Sequence, residues 1–366
     1  FYSKWLKDLA AEQTPDGNVQ DVVPNVRKGN GASGWGDAAT VIPWVLYHEY
    51  DDKVMLETQY QSMKGWVKYL KSRAKENYIY PGGRYGDWLS FSSTASDYPG
   101  AFTDKEFVGT AYFARSTQLL AQAAQILGKE EDRKTYSELL SRIKQSFQKE
   151  FVTRNGRLSP NTQTAYVLAL SFDLLPEDIR KDAAQRLADD VRKFGHITTG
   201  FLGTPEICNV LSDYGHDDEA YMLLFRKKFP SWLYPVTVGA TTVWESWDAI
   251  LPDGTFNKGS LNHFAYGAIG DWLFSRVAGI RQAEGSTAYK EIVIKPHFTT
   301  SLSFARATYY SMYGPISSHW QRTDTGLELH VSIPPNTTAQ VHLPTENGWK
   351  IEEIGSGNYT FTNIHE

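Results

Sequence analysis

The segment Thr241-Thr242-Val243-Trp244-Glu245-Ser246-Trp247-Asp248 places one carboxylate between two tryptophans, directly after an apolar run. Aromatic neighbours strip water from a carboxylate and so tune its pKa, which is what acid–base chemistry asks of an Asp or Glu. A blander reading makes Glu245 an acidic residue in the first turn of a helix, where it favours the dipole. Two further segments join a tryptophan to an aspartate, Gly34-Trp35-Gly36-Asp37 and Gly86-Asp87-Trp88. In each, glycine permits close backbone approach, an indole face suits the flat C–H face of a sugar, and a carboxylate suits its hydroxyls. Against that stand a plain capping role for Asp37 and a packing role for Trp88. His263 fits either a substrate hydrogen bond or a core contact. Glu206, in Gly203-Thr204-Pro205-Glu206, reads as a first-turn helix residue. Carboxylates among aromatics point to glycosidic bond hydrolysis, in which one carboxyl group donates a proton and another activates water or attacks.

Other chemistries lack their residues. The chain has no Gly-x-Ser-x-Gly elbow, no phosphate-cradling P-loop and no His-Glu-x-x-His motif, and its 9 histidines show no metal-ligand spacing. A lone cysteine, Cys208, excludes an internal disulfide and a cysteine-built metal centre, and its apolar surroundings mark it as a small buried hydrophobe. No cofactor or metal is expected. A formal net charge of -5 gives no basic footprint for nucleic acid. No apolar stretch approaches the roughly 20 residues that span a bilayer. The 11 Trp, 21 Tyr and 18 Phe are an aromatic excess that core packing alone explains poorly, because several Trp sit in polar, glycine-bearing loops.

With 366 residues, the chain exceeds what one hydrophobic core holds, and two domains are expected. Helical periodicity runs to about residue 280. The spacing predicts helices over Ser3–Gln13, Ala38–Tyr50, Lys53–Lys75, Asp104–Leu127, Glu130–Phe151, Asn161–Phe172, Pro176–Phe194, Thr204–Asp213, Asp217–Phe229 and Leu261–Val277. Thr103 and Asp104 are candidate caps, and Gly128 a helix stop. Short turns pair these helices into hairpins. Long Gly- and Trp-rich loops (Thr14–Gly34, Tyr78–Thr103, Ser231–Ser260) favour a closed α/α toroid, which gathers its loops at one mouth, over an open solenoid. Beyond residue 285 short strands are expected at Lys290–Pro296, Phe304–Tyr310, Gly314–Trp320, Leu327–Ile333 and Ala339–Leu343, which make a small antiparallel β-sandwich. The expected domains are therefore a mainly α unit over 1–284 and the sandwich over 285–366.

Residues 1 to about 280 resemble the catalytic domain of the inverting bacterial α-L-rhamnosidases, glycoside hydrolase family 78. The match runs through Gly34-Trp35-Gly36-Asp37-Ala38-Ala39, Tyr80-Pro81-Gly82-Gly83, Gly86-Asp87-Trp88, Thr162-Gln163-Thr164-Ala165-Tyr166, Thr199-Gly200-Phe201-Leu202-Gly203-Thr204-Pro205 and Gly239-Ala240-Thr241-Thr242-Val243-Trp244-Glu245. Residues 285–366, with Pro334-Pro335-Asn336-Thr337-Thr338, resemble that family's C-terminal sandwich. The resemblance implies an (α/α)6 toroid, release of terminal α-L-rhamnose with inversion, and a carbohydrate as partner. It makes Glu245 the general base, Trp35 and Trp88 walls of the sugar pocket, Asp37 and Asp87 pocket carboxylates, and His263 a further contact. Trp247 completes the candidate substrate-binding set. The family's proton donor lies in an Asp-Glu-Arg-x-Gly-Trp-x-Gly-Asp segment that this chain lacks. The toroid is therefore expected to be incomplete at its N-terminus, with the acid on the remainder of the polypeptide. Two other readings stay open: a toroidal glycosidase of different sugar specificity, and a sugar-binding protein without catalysis.

Overall fold

Two kinds of helix alternate along the first two thirds of the chain. In α4 (Lys105–Ile126) and α6 (Gln163–Ser171) burial runs almost all the way round, and in α6 every residue from Gln163 to Leu170 is buried. By contrast α5 (Glu130–Phe151) buries only Leu139, Ile143, Phe147 and Phe151, one stripe at four-residue spacing. The same holds in α7 (Glu177–Phe194), whose buried stripe is Ala183, Ala184, Leu187, Ala188 and Val191. A helix covered on all sides belongs to an inner layer, and one with a single apolar stripe to an outer layer.

The structure is a computed structural model that describes residues 1–27, 31–74, 76–90, 102–324, 326–346 and 348–364. Residues 91–101 of the loop expected over Tyr78–Thr103, and Lys75 at the end of an expected helix, lie outside the described residues. The remaining helices are α1 (Tyr2–Glu12), α2 (Ala38–Tyr50), α3 (Lys53–Arg73), α8 (Thr204–Asp213), α9 (Asp217–Phe225) and the short α10 (Leu233–Thr237). Hairpins form from α4 with α5, α6 with α7 and α8 with α9. Inner members meet in succession: Thr40 of α2 bonds Ser116 of α4 at 2.6 Å, α4 packs on α6, and α6 packs on α8. Outer members are tied by polar side chains. Lys64 of α3 reaches Asp132 of α5 at 2.9 Å, and Arg192 of α7 reaches Glu219 of α9 at 2.6 Å. Side-by-side hairpins in two layers are what an α/α toroid requires.

Local signals account for several ends. Asp104 caps α4 by accepting from the Glu106 amide, and Thr162 caps α6 by accepting from the Ala165 amide. Past the end of α4, Gly128 adopts φ 69°, the left-handed turn that glycine permits, and the Lys129 amide returns to the Ala124 carbonyl. Thr103 instead bonds Thr162 at 2.8 Å. Cys208 is buried, and burial pushes its thiol pKa up.

The expected helix over Leu261–Val277 is not continuous. Residues 261–264 are loop, and beyond them come a 3-10 turn (Ala265–Ala268), a single α turn, α11 (Ile269–Trp272), and a π turn (Leu273–Val277). The His263 amide donates to Val243 O at 2.8 Å, which ties this loop to the segment before Glu245, and Gly267 and Gly270 lower the helix propensity of the stretch after it. The helix expected to reach Phe229 stops at Phe225, where Arg226 turns extended.

By their internal contacts the residues divide into two units, Phe1–Val45 with Lys53–Gly267, and Leu46–Asp52 with Ala268–Glu366. This differs from the single expected cut after residue 284. The second unit holds two four-stranded sheets. One runs β1 (Ile280–Gln282), β2 (Glu291–Ile294), β6 (Thr338–Thr345), β7 (Gly348–Ile354); the other runs β3 (Phe304–Ser311), β4 (Gly314–Thr323), β5 (Gly326–Ile333), β8 (Gly357–Ile364). Alternate residues of both sheets, among them Ile292, Ile294, Ile316, Trp320, Leu329, Val331 and Val341, form the core. All ladders are antiparallel except β2–β6, which is parallel. Strands β1, β7 and β8 were not anticipated. In β7 the run Trp349-Lys350-Ile351-Glu352-Glu353 lies at the sheet edge and is mostly exposed, so it carries no clean alternation.

Candidate active site

Asp37 sits in the turn that leads into α2 and is 1% exposed. Its carboxylate accepts from Trp66 Nε1 at 2.9 Å, from Ser116 Oγ at 2.5 Å and from the Gly34 amide at 2.8 Å. Burial raises its pKa to about 6 against the opposing pull of these donors. Glycine is required on both sides of Trp35. Gly34 has φ 86° and a Cβ there would lie 2.4 Å from Leu202, while a Cβ on Gly36 would lie 2.5 Å from the Trp66 ring. Asp37 thus holds the Trp35 turn to α3 and α4.

Asp87 is fully buried. One oxygen accepts from the Leu202 and Gly203 amides at 2.8 and 3.2 Å, the other from the Gly200 amide at 2.8 Å and from the Thr164 hydroxyl. Burial raises its pKa, and the four donors oppose that shift. The Phe201 amide donates in return to Trp88 O at 2.8 Å, and a Cβ on Gly200 would stand 2.2 Å from that oxygen. Asp87 therefore clamps the segment 199–204 against the turn that carries Trp88. The field of both aspartates converges on Tyr112 of α4, whose phenol is driven up first by burial and then by Asp37, Glu206 and Asp87. Glu206 itself accepts from Ser171 Oγ at 3.0 Å.

These clamps present aromatic rings. Trp35 lies 4.6 Å from Tyr85, and Tyr85 lies edge-on 5.6 Å from Trp88, so three half-buried rings form one wall. On the other side of the clamped segment Phe201 stacks on His263 at 5.0 Å and meets Tyr266 edge-on at 5.4 Å. Tyr266 in turn stacks on Trp247 at 3.8 Å, and Trp247 meets Trp232 at 5.7 Å. Trp247 is 5% exposed, so it supports the site through Tyr266 rather than facing a ligand. Sequence reasoning did not single out Tyr85, Phe201 or Tyr266. The signal available for the first two was their place inside the glycine-bearing segments that also hold Asp87 and Gly200.

Glu245 is built differently. It lies in a bend, not a helix, so the first-turn reading does not hold. Its amide donates to Ser260 O at 2.9 Å and its Oε2 accepts from the Ser260 amide at 2.8 Å. The carboxyl is half-buried, and Oε1 has no partner among the described residues. Two residues before it, Val243 O accepts from the His263 amide, so Glu245 and His263 project from one pair of adjoining segments. Nearby Asp248 is engaged by Ser246 Oγ at 2.7 Å and by Asn257. Of the three carboxylates marked out by tryptophan, only Glu245 retains an oxygen for chemistry. Among the described residues no group of three or more His, Cys, Asp or Glu could hold a metal ion.

Comparison with known proteins matches this arrangement. Residues 1–277 match the family described as the bacterial alpha-L-rhamnosidase 6 hairpin glycosidase domain, and residues 279–358 match the bacterial alpha-L-rhamnosidase C-terminal domain. An α-L-rhamnosidase of Streptomyces avermitilis is 42% identical over 99% of this chain and 36% of its own length. One from Formosa agariphila is 38% identical over 99% of this chain and 39% of its own. The crystal structure of the Streptomyces avermitilis enzyme complexed with L-rhamnose superposes with a TM-score of 0.90, covering 98% of this chain and 36% of that one. The native enzyme from Aspergillus terreus gives 0.89 at 36% identity, covering 98% of this chain and 42% of that one. The chain thus spans between 36% and 40% of the length of the curated relatives it matches. The expected six-hairpin and β-sandwich fold class is borne out.

Proposed function

The chain belongs to the bacterial α-L-rhamnosidases, and from that premise we propose that it forms the catalytic core of an enzyme releasing terminal α-L-rhamnose with inversion, Glu245 acting as general base. What carries the reading is the Glu245 carboxyl, anchored through Oε2 on the Ser260 amide and free at Oε1. An oxygen held in place by a backbone donor on its partner oxygen is positioned to take a proton from water without rotating away.

In this mechanism Glu245 deprotonates a water that attacks the anomeric carbon from the face opposite the leaving oxygen. A second carboxyl group protonates that oxygen. Inversion needs the two groups roughly 6.5–9.5 Å apart, with the water between them. Asp37 and Asp87 do not fill the second role, since both oxygens of each are engaged by buried donors. The family resemblance places the proton donor on a part of the polypeptide outside these 366 residues, in keeping with the share of the relatives' length that the chain spans. Trp35, Tyr85 and Trp88 form the apolar wall that accepts the ring and methyl group of rhamnose, and His263, held flat against Phe201, offers a ring nitrogen to a hydroxyl. Asp37 and Asp87 are positioning residues in this scheme.

The test is rhamnose release from para-nitrophenyl α-L-rhamnoside by this chain, by an N-terminally extended protein and by the extended protein carrying Glu245→Gln. The anomer formed first is read by proton NMR. The reading expects turnover in the extended protein, β-L-rhamnose as first product, and loss of turnover in the variant. No release from the extended wild type, or α-L-rhamnose as first product, would sink it.

A further inference from the structure

A cavity of about 560 Å³ opens beside the aromatic wall and is lined by Tyr69, Arg73, Tyr80, Gly82, Gly83 and Arg84, among others. No carboxylate comes within 4.0 Å of the Arg73 or Arg84 guanidinium among the described residues, although Asp16 and Asp21 act on them from farther away. Each guanidinium is held instead over a tyrosine ring, Arg73 over Tyr69 and Arg84 over Tyr85, both at 5.6 Å. Tyr69 and Tyr80 are each 4% exposed, and neither phenol oxygen has a hydrogen-bond partner among the described residues. Burial first, with the neighbouring Tyr69 phenol, keeps Tyr80 protonated and so a donor. Among the described residues, two guanidiniums with no carboxylate in contact and two phenols without a hydrogen-bond partner thus line one cavity. Such a set suits an oxyanion, and the planar arginine fork suits a carboxylate or sulfate in particular.

The wall of this cavity is closely packed. Gly82 has φ 81° and a Cβ there would lie 2.1 Å from Lys105 O, while a Cβ on Gly83 would lie 2.6 Å from the Ala32 Cα. The Tyr80 amide is fixed on Thr110 Oγ1 at 3.0 Å. The same two stretches of chain continue into the candidate active site: Ala32 leads to Trp35, and Arg84 leads through Tyr85 to Trp88. Tyr85 faces both ways, packing between Trp35 and Trp88 while carrying Arg84 over its ring.

We infer that this cavity is a subsite for the anionic group of an acidic sugar, a uronate carboxylate or a sulfate ester, in the same glycan whose terminal residue meets the aromatic wall. The glycan part rests on the glycosidase reading above; the anion part does not. The experiment measures binding of sodium D-glucuronate, D-glucose 6-sulfate and D-glucose to the protein at constant ionic strength, in the wild type and in Arg73→Ala/Arg84→Ala. The expected result is at least tenfold tighter binding of one or both anions than of D-glucose, lost in the double variant and partly restored by Arg73→Lys/Arg84→Lys. Which anion binds tells carboxylate from sulfate. Equal binding of all three sugars by the wild type, or an anion preference that survives in the folded double variant, overturns the subsite. Hydrolysis of the neutral para-nitrophenyl α-L-rhamnoside should be the same in the N-terminally extended wild type and the extended double variant. Failure of that hydrolysis in both proteins would count against the glycosidase reading alone, since the anion preference is measured without turnover.

Discussion

The turns carrying Asp37 and Asp87 and the bend carrying Glu245 look alike in sequence, each a carboxylate beside a tryptophan in a glycine-bearing stretch. In three dimensions they are opposites. Asp87 gathers four donors, three of them amides of one short segment. Asp37 gathers three from three separate elements. A buried carboxylate so surrounded holds loops together, because each donor left without an acceptor would cost free energy. Glu245 accepts one amide and keeps an oxygen without a partner among the described residues. The number of donors, not the neighbouring tryptophan, separates scaffold from chemistry.

The contrast breaks most sharply under substitution. Glu245→Gln should lower rhamnose release by about 10³-fold in the extended protein while leaving the urea midpoint unchanged. A comparable loss of stability would make Glu245 another clamp. Asp87→Ala should do the reverse, lowering the free energy of unfolding by on the order of 4 kcal/mol, because four buried donors lose their acceptor together. Unfolding in urea checks this, and a change below about 1 kcal/mol would place Asp87 with Glu245.

Asp37 gives a pH signature. Its folded pKa of about 6 lies above the ordinary 3.8, so the folded state binds the proton more tightly than the unfolded one. The contribution is full below pH 3.8 and is lost as pH rises through 6, a difference on the order of 3 kcal/mol. Urea unfolding across that window should show Asp37→Asn losing less stability than wild type as pH rises, and parallel curves would refute it. The smallest effect is expected at Trp247. Its Nε1 has no acceptor among the described residues, so Trp247→Phe removes only ring area and should cost about 1 kcal/mol. Trp66→Phe, which also removes the bond to the Asp37 carboxylate, should cost more.

The segments of sequence were legible to different degrees. Ala38–Tyr50, Glu130–Phe151 and Thr204–Asp213 agree with the expected bounds, because the apolar periodicity that marks a helix lies within a few residues. The expected Leu261 helix is broken into short turns, in a stretch where Gly267 and Gly270 lower helix propensity and the His263 amide meets Val243, far outside any helical window. Strand β7 was missed because an exposed edge strand has no buried face to impose alternation. Within the site, Glu245 stood out from its flanking tryptophans, whereas Tyr85 and Phe201 became visible only once their rings met Trp35, Trp88 and His263.

Sequence by itself determined the hairpin helices, the strands after them and the short roster of carboxylates and rings able to meet a sugar. Those features are written in neighbours a few residues apart, where spacing and turn chemistry act. Only the tertiary structure decided which carboxylates are free. Asp87 meets the Gly200 amide across 113 residues and Asp37 meets Ser116 across 79. The energy of a buried charge is set by donors brought to it through folding, and no local pattern records them.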